Sequence, residues 1–222
     1  MLYFWPNTTA GRGSDNDKDR TGAGSNEGGN GGGEAGGNAD RLLQQEVVVP
    51  LLDSILIVNG SKNISFTGFE FTETRATFMN MYEIPSGGDW SVHRGATVLV
   101  TEAEQVVVRG CTFNQTGGNA LMFSGGVTNS SIEANEFVHI GDSAVLLLGR
   151  TDGIDGTQPT YPNHNFVGYN LMHEVGVYGK QTSCLFHSLA ANSTIKGNTC
   201  FNGPRAGFNW NDGHGGGSTI QG

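Results

Sequence analysis

Three carboxylates, Asp142, Glu174 and Asp212, could together supply the chemistry of glycoside hydrolysis. One carboxyl holding its proton near neutrality would act as general acid, and a second would act as base or nucleophile. The pairs to consider are Asp142 with Glu174 and Asp142 with Asp212. A second chemistry is also open: Lys180 or His139 could take the proton α to a uronate carboxylate while Arg205 neutralises that carboxylate. Trp90, His93, Tyr178, Asn209 and Asn211 add rings and polar groups able to hold a sugar. A third reading uses the same groups to bind a glycan without turning it over. Each residue has a plainer use as well. Asp142 follows Gly141 at a turn and could bond backbone amides. Single histidines are often satisfied or solvent-facing, Arg205 could tie down corner carbonyls, Asp212 could hold a glycine-rich turn, and Trp90 could anchor its own loop.

What would bring these residues together is a repeat. Asn63–Phe71, Gln105–Phe113, Asn129–Phe137, His164–Met172 and Asn192–Cys200 align without gaps. Their last positions are Phe71, Phe113, Phe137, Met172 and Cys200, and five residues earlier stand Phe66, Val108, Ile132, Val167 and Ile195, all apolar. A sixth copy begins at Ser218 and reaches Ile220. The column holding Asn135, Asn170 and Asn198 predicts a stacked amide ladder at a turn. Apolar residues alternate at two-residue spacing, as in Leu121/Phe123, which favours strands over helical repeats. Successive copies lie 42, 24, 35 and 28 residues apart. With 24 as the basic rung, insertions of 18, 11 and 4 residues follow. The pattern predicts an all-β solenoid of about six rungs over residues 41–222.

The phrases GGDWSVHRG, FVHIGDS, GVYGKQTS and NGPRAGFNWNDGHGGG resemble those of right-handed parallel β-helix repeat proteins of the pectate-lyase-like superfold. The resemblance covers Val47–Gly222. It implies a carbohydrate-active protein, with a polysaccharide or other glycan as partner. Within it a hydrolase is favoured over a lyase, and a non-enzymatic glycan-binding or structural solenoid is the other alternative. Calcium serves some relatives of this superfold, but no dense Asp run here demands it, so no metal or cofactor is expected.

Alternation places Leu121/Phe123, Val145/Leu147 and Phe208/Trp210 inward, with Met122/Ser124, Leu146/Leu148 and Asn209/Asn211 outward. In the rung after Met172, Lys180 and Thr182 would fall inward, where an unpaired ammonium is costly. Val177–Thr182 is therefore read as a bulging corner loop, with Cys184 and Phe186 taking the inward places. The insertion near 73–92 emerges at that same corner, and the one near 151–162 leaves from the opposite end of the strand. Together they are expected to wall a groove over one sheet, bringing Arg75, Asp89 and His93 towards the corner where counting along the rungs gathers His139, Asp142, His173, Glu174, Tyr178, Lys180 and Arg205.

Composition narrows the classes further. The chain carries 36 glycines and a formal charge of −9. Arg12–Asp40 has no aromatic residue and reads as a disordered low-complexity loop. Residues 1–11 read as a strand and turn from a preceding element, and the solenoid is expected to be cut at both ends. The segment Arg12–Asp40 holds three basic and six acidic residues, so the rest of the chain keeps a charge of −6. Without a basic cluster, nucleic acid is not an expected partner. No apolar run is long enough to span a bilayer as a helix, so no membrane association is expected. Cys111, Cys184 and Cys200 match no metal-binding spacing and are expected as buried thiols. N-x-S/T sequons at Asn7, Asn63, Asn114, Asn129 and Asn192 are compatible with an extracellular or secretory location, although Met1 is followed at once by a strand-like segment without a signal-peptide pattern.

Overall fold

A computed structural model describes residues 47–85, 90–152, 155–211 and 215–222, and among them there are nineteen strands and no helix. The segments 1–11 and 12–40 lie outside the described residues. Three parallel sheets account for all but two of the strands. Sheet 1 holds Leu56–Asn59, Val98–Thr101, Leu121–Ser124, Val145–Leu148, Ser183–Ser188 and Ala206–Asn211. Sheet 2 holds Lys62–Thr67, Glu104–Arg109, Ser131–Glu133, Phe166–Gly168, Thr194–Lys196 and Thr219–Gln221. Sheet 3 holds Glu70–Thr72, Thr112–Asn114, Glu136–Ile140, Leu171–Val175 and Thr199–Phe201. The chain visits sheets 1, 2 and 3 in turn and then returns to sheet 1 beside its previous strand, which is the strand order of a coil.

The register matches the sequence columns residue for residue. Phe71, Phe113, Phe137, Met172 and Cys200 are direct neighbours across sheet 3. Phe66, Val108, Ile132, Val167, Ile195 and Ile220 are neighbours across sheet 2. Rings stack along the axis, with centroids 5.0 Å apart for Phe71–Phe113 and 4.7 Å for Phe113–Phe137. Such offset stacking adds to the burial of the rings themselves.

Short strands require sharp corners, and the corners recur in left-handed backbone. Between sheets 2 and 3 the turn residues are Gly68, Gly110, Ala134, Tyr169 and Gly197, all with φ between 52° and 72°. Directly after them lies the amide ladder. Asn170 Nδ2 donates to Ile132 O at 3.0 Å and to Asn198 Oδ1 at 2.9 Å, while Asn170 Oδ1 accepts from the backbone N–H and the Nδ2 of Asn135, both at 3.0 Å. Asn135 repeats the pattern towards Val108 and Cys111. The ladder thus satisfies turn amides that are buried away from water. A second ladder, which the column reading missed, runs through Ser130, Asn165, Ser193 and Ser218 at the corner between sheets 1 and 2. It mixes Asn with Ser, so no single residue type marks it.

Leu121, Phe123, Val145 and Leu147 point into the inner core, and Met122, Leu146 and Leu148 face outward, as alternation required. The strand after the corner loop is displaced by one residue from expectation. Leu185, not Cys184 or Phe186, pairs with Val145 and Phe208; Cys184 and Leu185 both reach the inner core, while Phe186 faces outward. The loop takes up five residues, and the following turn is one shorter, with ten residues from Leu185 to Ile195 against eleven from Leu121 to Ile132. The net spacing therefore conceals the true offset. The cysteine expectation is corrected too: Cys184 and Cys200 form a disulfide across the core, and only Cys111 is a buried free thiol. Their positions belong to opposite walls of one rung, so linear spacing does not reveal the pairing.

One inward column runs Val58, Val100, Phe123, Leu147, His187 and Trp210. His187 is 1% exposed, its ring centroid lies 4.3 Å from that of Trp210, and its Nε2 lies 3.2 Å from Ser218 Oγ. Its Nδ1 is buried without a hydrogen-bond partner among the described residues. Burial pushes the imidazole pKa down to about 4.

Two predictions follow from these packing arrangements. Asn170→Ala leaves the Ile132 carbonyl and the Asn135 amides unsatisfied, and should lower unfolding free energy in urea by about 3 kcal/mol; a loss under about 1 kcal/mol would deny the ladder its role. A histidine depressed in the folded state gives its full stability above its unfolded pKa and loses it as pH falls through the folded one. Wild-type protein should therefore lose about 3 kcal/mol between pH ~6.5 and ~4 through His187 alone. His187→Leu, matching Leu147, should remove that share of the acid dependence, and identical pH profiles would count against this account.

Candidate functional site

The insertion after sheet 3 does not stand beside sheet 1 as a wall; it lies across it. Trp90, Val92 and Ala96 pack on the outward residues Met122, Leu146, Leu148 and Phe186, making a second apolar core. This explains why the strand at Val145–Leu148 is apolar without interruption, since it is buried on both faces. Gly117 permits the crossing, because a Cβ there would collide with the Arg75 backbone. Arg94 fastens the loop at the far end of the sheet: its Nε donates to Glu83 at 2.7 Å, and its Nη atoms donate to Ser124 Oγ at 2.8 Å and Gly149 O at 2.9 Å. The insertion at 151–162 leaves from that far end, and its strands Arg150–Asp152 and Asp155–Thr160 form an antiparallel hairpin.

The expected open groove is thus roofed; a cleft of about 360 Å³ lies at the corner where sheet 3 leads into sheet 1, and another of about 350 Å³ lies at the far end beside Arg94 and Arg150. The lining of the first comes from three segments: Phe78, Tyr82 and Ser91 from the insertion, Asp142 from the corner, and Tyr178–Gln181 from the bulging loop. Asp142 is 5% exposed, and Tyr82 donates its hydroxyl to Asp142 Oδ2 at 2.8 Å. Burial raises the Asp142 pKa above its ordinary 3.8, against the lowering influence of the Tyr82 hydroxyl, His93 and the Ser143 donors. The Tyr82 phenol is in turn held un-ionised, first by burial and then by the charge of Asp142. Phe78 and Tyr178 pair across the mouth with ring centroids 5.8 Å apart, and both are about half exposed. Ser91 binds Gln181 Oε1 through its hydroxyl at 3.1 Å, joining insertion to loop.

Of the expected site residues, Asp142, Lys180 and Tyr178 meet in this cleft. His93 stands behind it, with Nδ1 3.0 Å from Met81 O and its ring 5.9 Å from that of Tyr82. Lys180 Nζ donates to Gly176 O at 2.6 Å and Val177 O at 3.1 Å, so the ammonium closes its own loop. Trp90 is 6% exposed and sits against Phe186, and the Arg205 guanidinium lies 4.6 Å from its ring centroid. Here Trp90 anchors the loop rather than presenting a sugar platform, and Arg205 supports it through a cation–π contact. Glu174 accepts from Asn202 Nδ2 at 2.7 Å, and neither it nor His139 lines the cleft; both have left-handed backbone near the ends of their strands in sheet 3. Asn209 is half-buried and Asn211 buried at the end of sheet 1. Asp212 lies outside the described residues. The cleft residues Phe78, Tyr82, Ser91 and Gln181 went unremarked in the sequence, because a loop without periodicity does not show which side chains it turns inward. Among the described residues no group of three or more His, Cys, Asp or Glu could hold a metal ion, and no helix is long and apolar enough to cross a membrane.

A carboxyl raised by burial gives its full stability below its unfolded pKa, and that share is lost as pH rises through the folded value. Asp142→Asn keeps an acceptor for Tyr82 while removing the buried charge. It should match wild type near pH 3.8 and exceed it in thermal midpoint at pH 7. A variant less stable at pH 7 would mean that the ionised carboxylate is needed as a structural acceptor.

Comparison with known proteins found no family model that matches the chain and no match among curated proteins.

Proposed function

We propose that the chain is a right-handed parallel β-helix that binds a glycan in the Asp142 cleft and hydrolyses it, with Asp142 as general acid. The handedness rests on the strong preference of parallel crossover connections for the right-handed form. The observation that carries the function is a buried carboxyl with a raised pKa, hydrogen-bonded to a phenol and flanked by two exposed aromatic rings. A carboxyl whose pKa burial raises is better suited to give a proton to a leaving glycosidic oxygen than an ordinary surface carboxylate. Phe78 and Tyr178 offer apolar faces on which a sugar ring can lie, with Ser91 and Gln181 able to bond hydroxyls. Export to an oxidising compartment agrees with the Cys184–Cys200 disulfide.

One observation favours a second reading, a glycan-binding solenoid without turnover: Asp142 is the only carboxylate among the described residues that line the cleft. The lyase reading has less support, since Lys180 is bonded to loop carbonyls and Arg205 to Trp90.

The test is incubation with a panel of plant, algal and microbial polysaccharides, following reducing ends and unsaturated uronate absorbance together. Hydrolysis predicts reducing ends alone, a fall of at least about 100-fold for Asp142→Asn, and retained glycan binding. Glu174→Gln and Asp212→Asn then identify the partner carboxylate. Binding without product from folded wild-type protein would establish the solenoid as a binder, and unsaturated products would restore the lyase.

A further inference from the structure

The corner between sheets 1 and 2 repeats one backbone state in every rung. Asn63, Gln105, Asn129, His164, Asn192 and Gly217 have φ of 59°, 57°, 51°, 54°, 49° and 71°. Strand and bridge partners set the first five in one column, through Lys62↔Glu104, Glu104↔Thr128, Thr128↔Asn163 and Asn163↔Ala191. Three of the chain's N-x-S/T sequons begin in this column: Asn63-Ile64-Ser65, Asn129-Ser130-Ser131 and Asn192-Ser193-Thr194. All three asparagines are exposed. The middle residue of each triplet turns towards the interior, and the hydroxyl residues Ser65, Ser131 and Thr194 stand in register on the outer face of sheet 2. The sequons occupy alternate rungs, with Gln105 and His164 between, so successive acceptors are about 10 Å apart. Two other sequons among the described residues are differently placed: Asn59-Gly60-Ser61 starts at the last residue of the first strand of sheet 1, where Asn59 Oδ1 accepts from Thr101 Oγ1 at 3.0 Å, and Asn114-Gln115-Thr116 starts in sheet 3. Asn114 pairs within sheet 3 between Thr72 and Val138, and its hydroxyl residue, Thr116, is 1% exposed and bonded to Gly118 O.

We infer that Asn63, Asn129 and Asn192 form a row of N-glycosylation sites along one edge of the solenoid. In the reaction the side-chain Nδ2 forms a bond to the anomeric carbon of an oligosaccharide carried on a lipid pyrophosphate. The carbon–oxygen bond to the pyrophosphate breaks, the lipid pyrophosphate leaves, and Nδ2 gives up a proton. Spacing by two rungs leaves each glycan room beside the next. The row lies at the end of sheet 1 remote from the Asp142 corner, so the sugars leave the cleft open. The inference requires entry into a secretory lumen, with which the disulfide agrees, and does not depend on the chemistry of the cleft. A competing cause is backbone geometry: left-handed corners favour asparagine whatever its modification.

The deciding experiment expresses the full chain behind a cleavable signal peptide in a eukaryotic secretory host, with one added sequon on a flexible C-terminal tail. Folded secreted protein is deglycosylated with an amidase in heavy-oxygen water, and labelled aspartates are mapped by peptide mass. Modification at Asn63, Asn129 and Asn192 is expected, with Asn63→Gln, Asn129→Gln and Asn192→Gln each removing one step of mass. If the tail sequon is occupied while at least two of the three are bare in folded protein, the row does not exist and backbone geometry alone accounts for the asparagines.

Discussion

Every turn of this chain has to bring the next strand back to about 4.8 Å above the last, three times per rung, with only a few residues for each corner. Left-handed residues meet that demand, because they bend the chain sharply within a single residue. The cost is that corner amides point into a dry interior, away from any strand partner. The Asn135–Asn170–Asn198 ladder and its Ser130–Asn165–Ser193–Ser218 counterpart supply those partners, each side chain serving the rung beside it. With the corners held, the inner columns stand in register, and Phe71, Phe113 and Phe137 stack along one of them.

That constraint also sets where variation is tolerated. A corner can swell without disturbing the columns, provided the chain returns to the same point. The insertion at 73–92, the hairpin at 151–162 and the bulge at Val177–Thr182 all obey this rule. The cleft exists because the first and the last of these meet over Asp142, itself a corner residue. Its chemistry depends on loops that the repeat leaves free, and its position depends on the repeat.

Strand columns were legible in the sequence because vertical stacking demands like residues at like positions, which five aligned segments display openly. The Asn ladder was legible for the same reason. Three kinds of feature were not. The displacement at Leu185 was hidden because a long loop and a short turn partly cancel in the spacing. The Cys184–Cys200 bond joins two walls of one rung, and no linear pattern encodes that. The role of Trp90 turned on whether the outward residues Met122, Leu146 and Phe186 face solvent or a roof; their apolar character was itself the available clue. Asp142, Lys180 and Tyr178 were placed together by counting along the corner, but Tyr82 and Phe78 reach them through a loop with no period to read.

The roof has a consequence for biosynthesis. Trp90 leaves the ribosome 96 residues before Phe186, the ring against which it packs. At ordinary translation rates of about 5–20 residues per second, that interval lasts on the order of 5–20 s. Met122, Leu146 and Leu148 emerge within that interval and give the tryptophan loop its first partners, so the roof forms in steps and is complete only once Phe186 has been made.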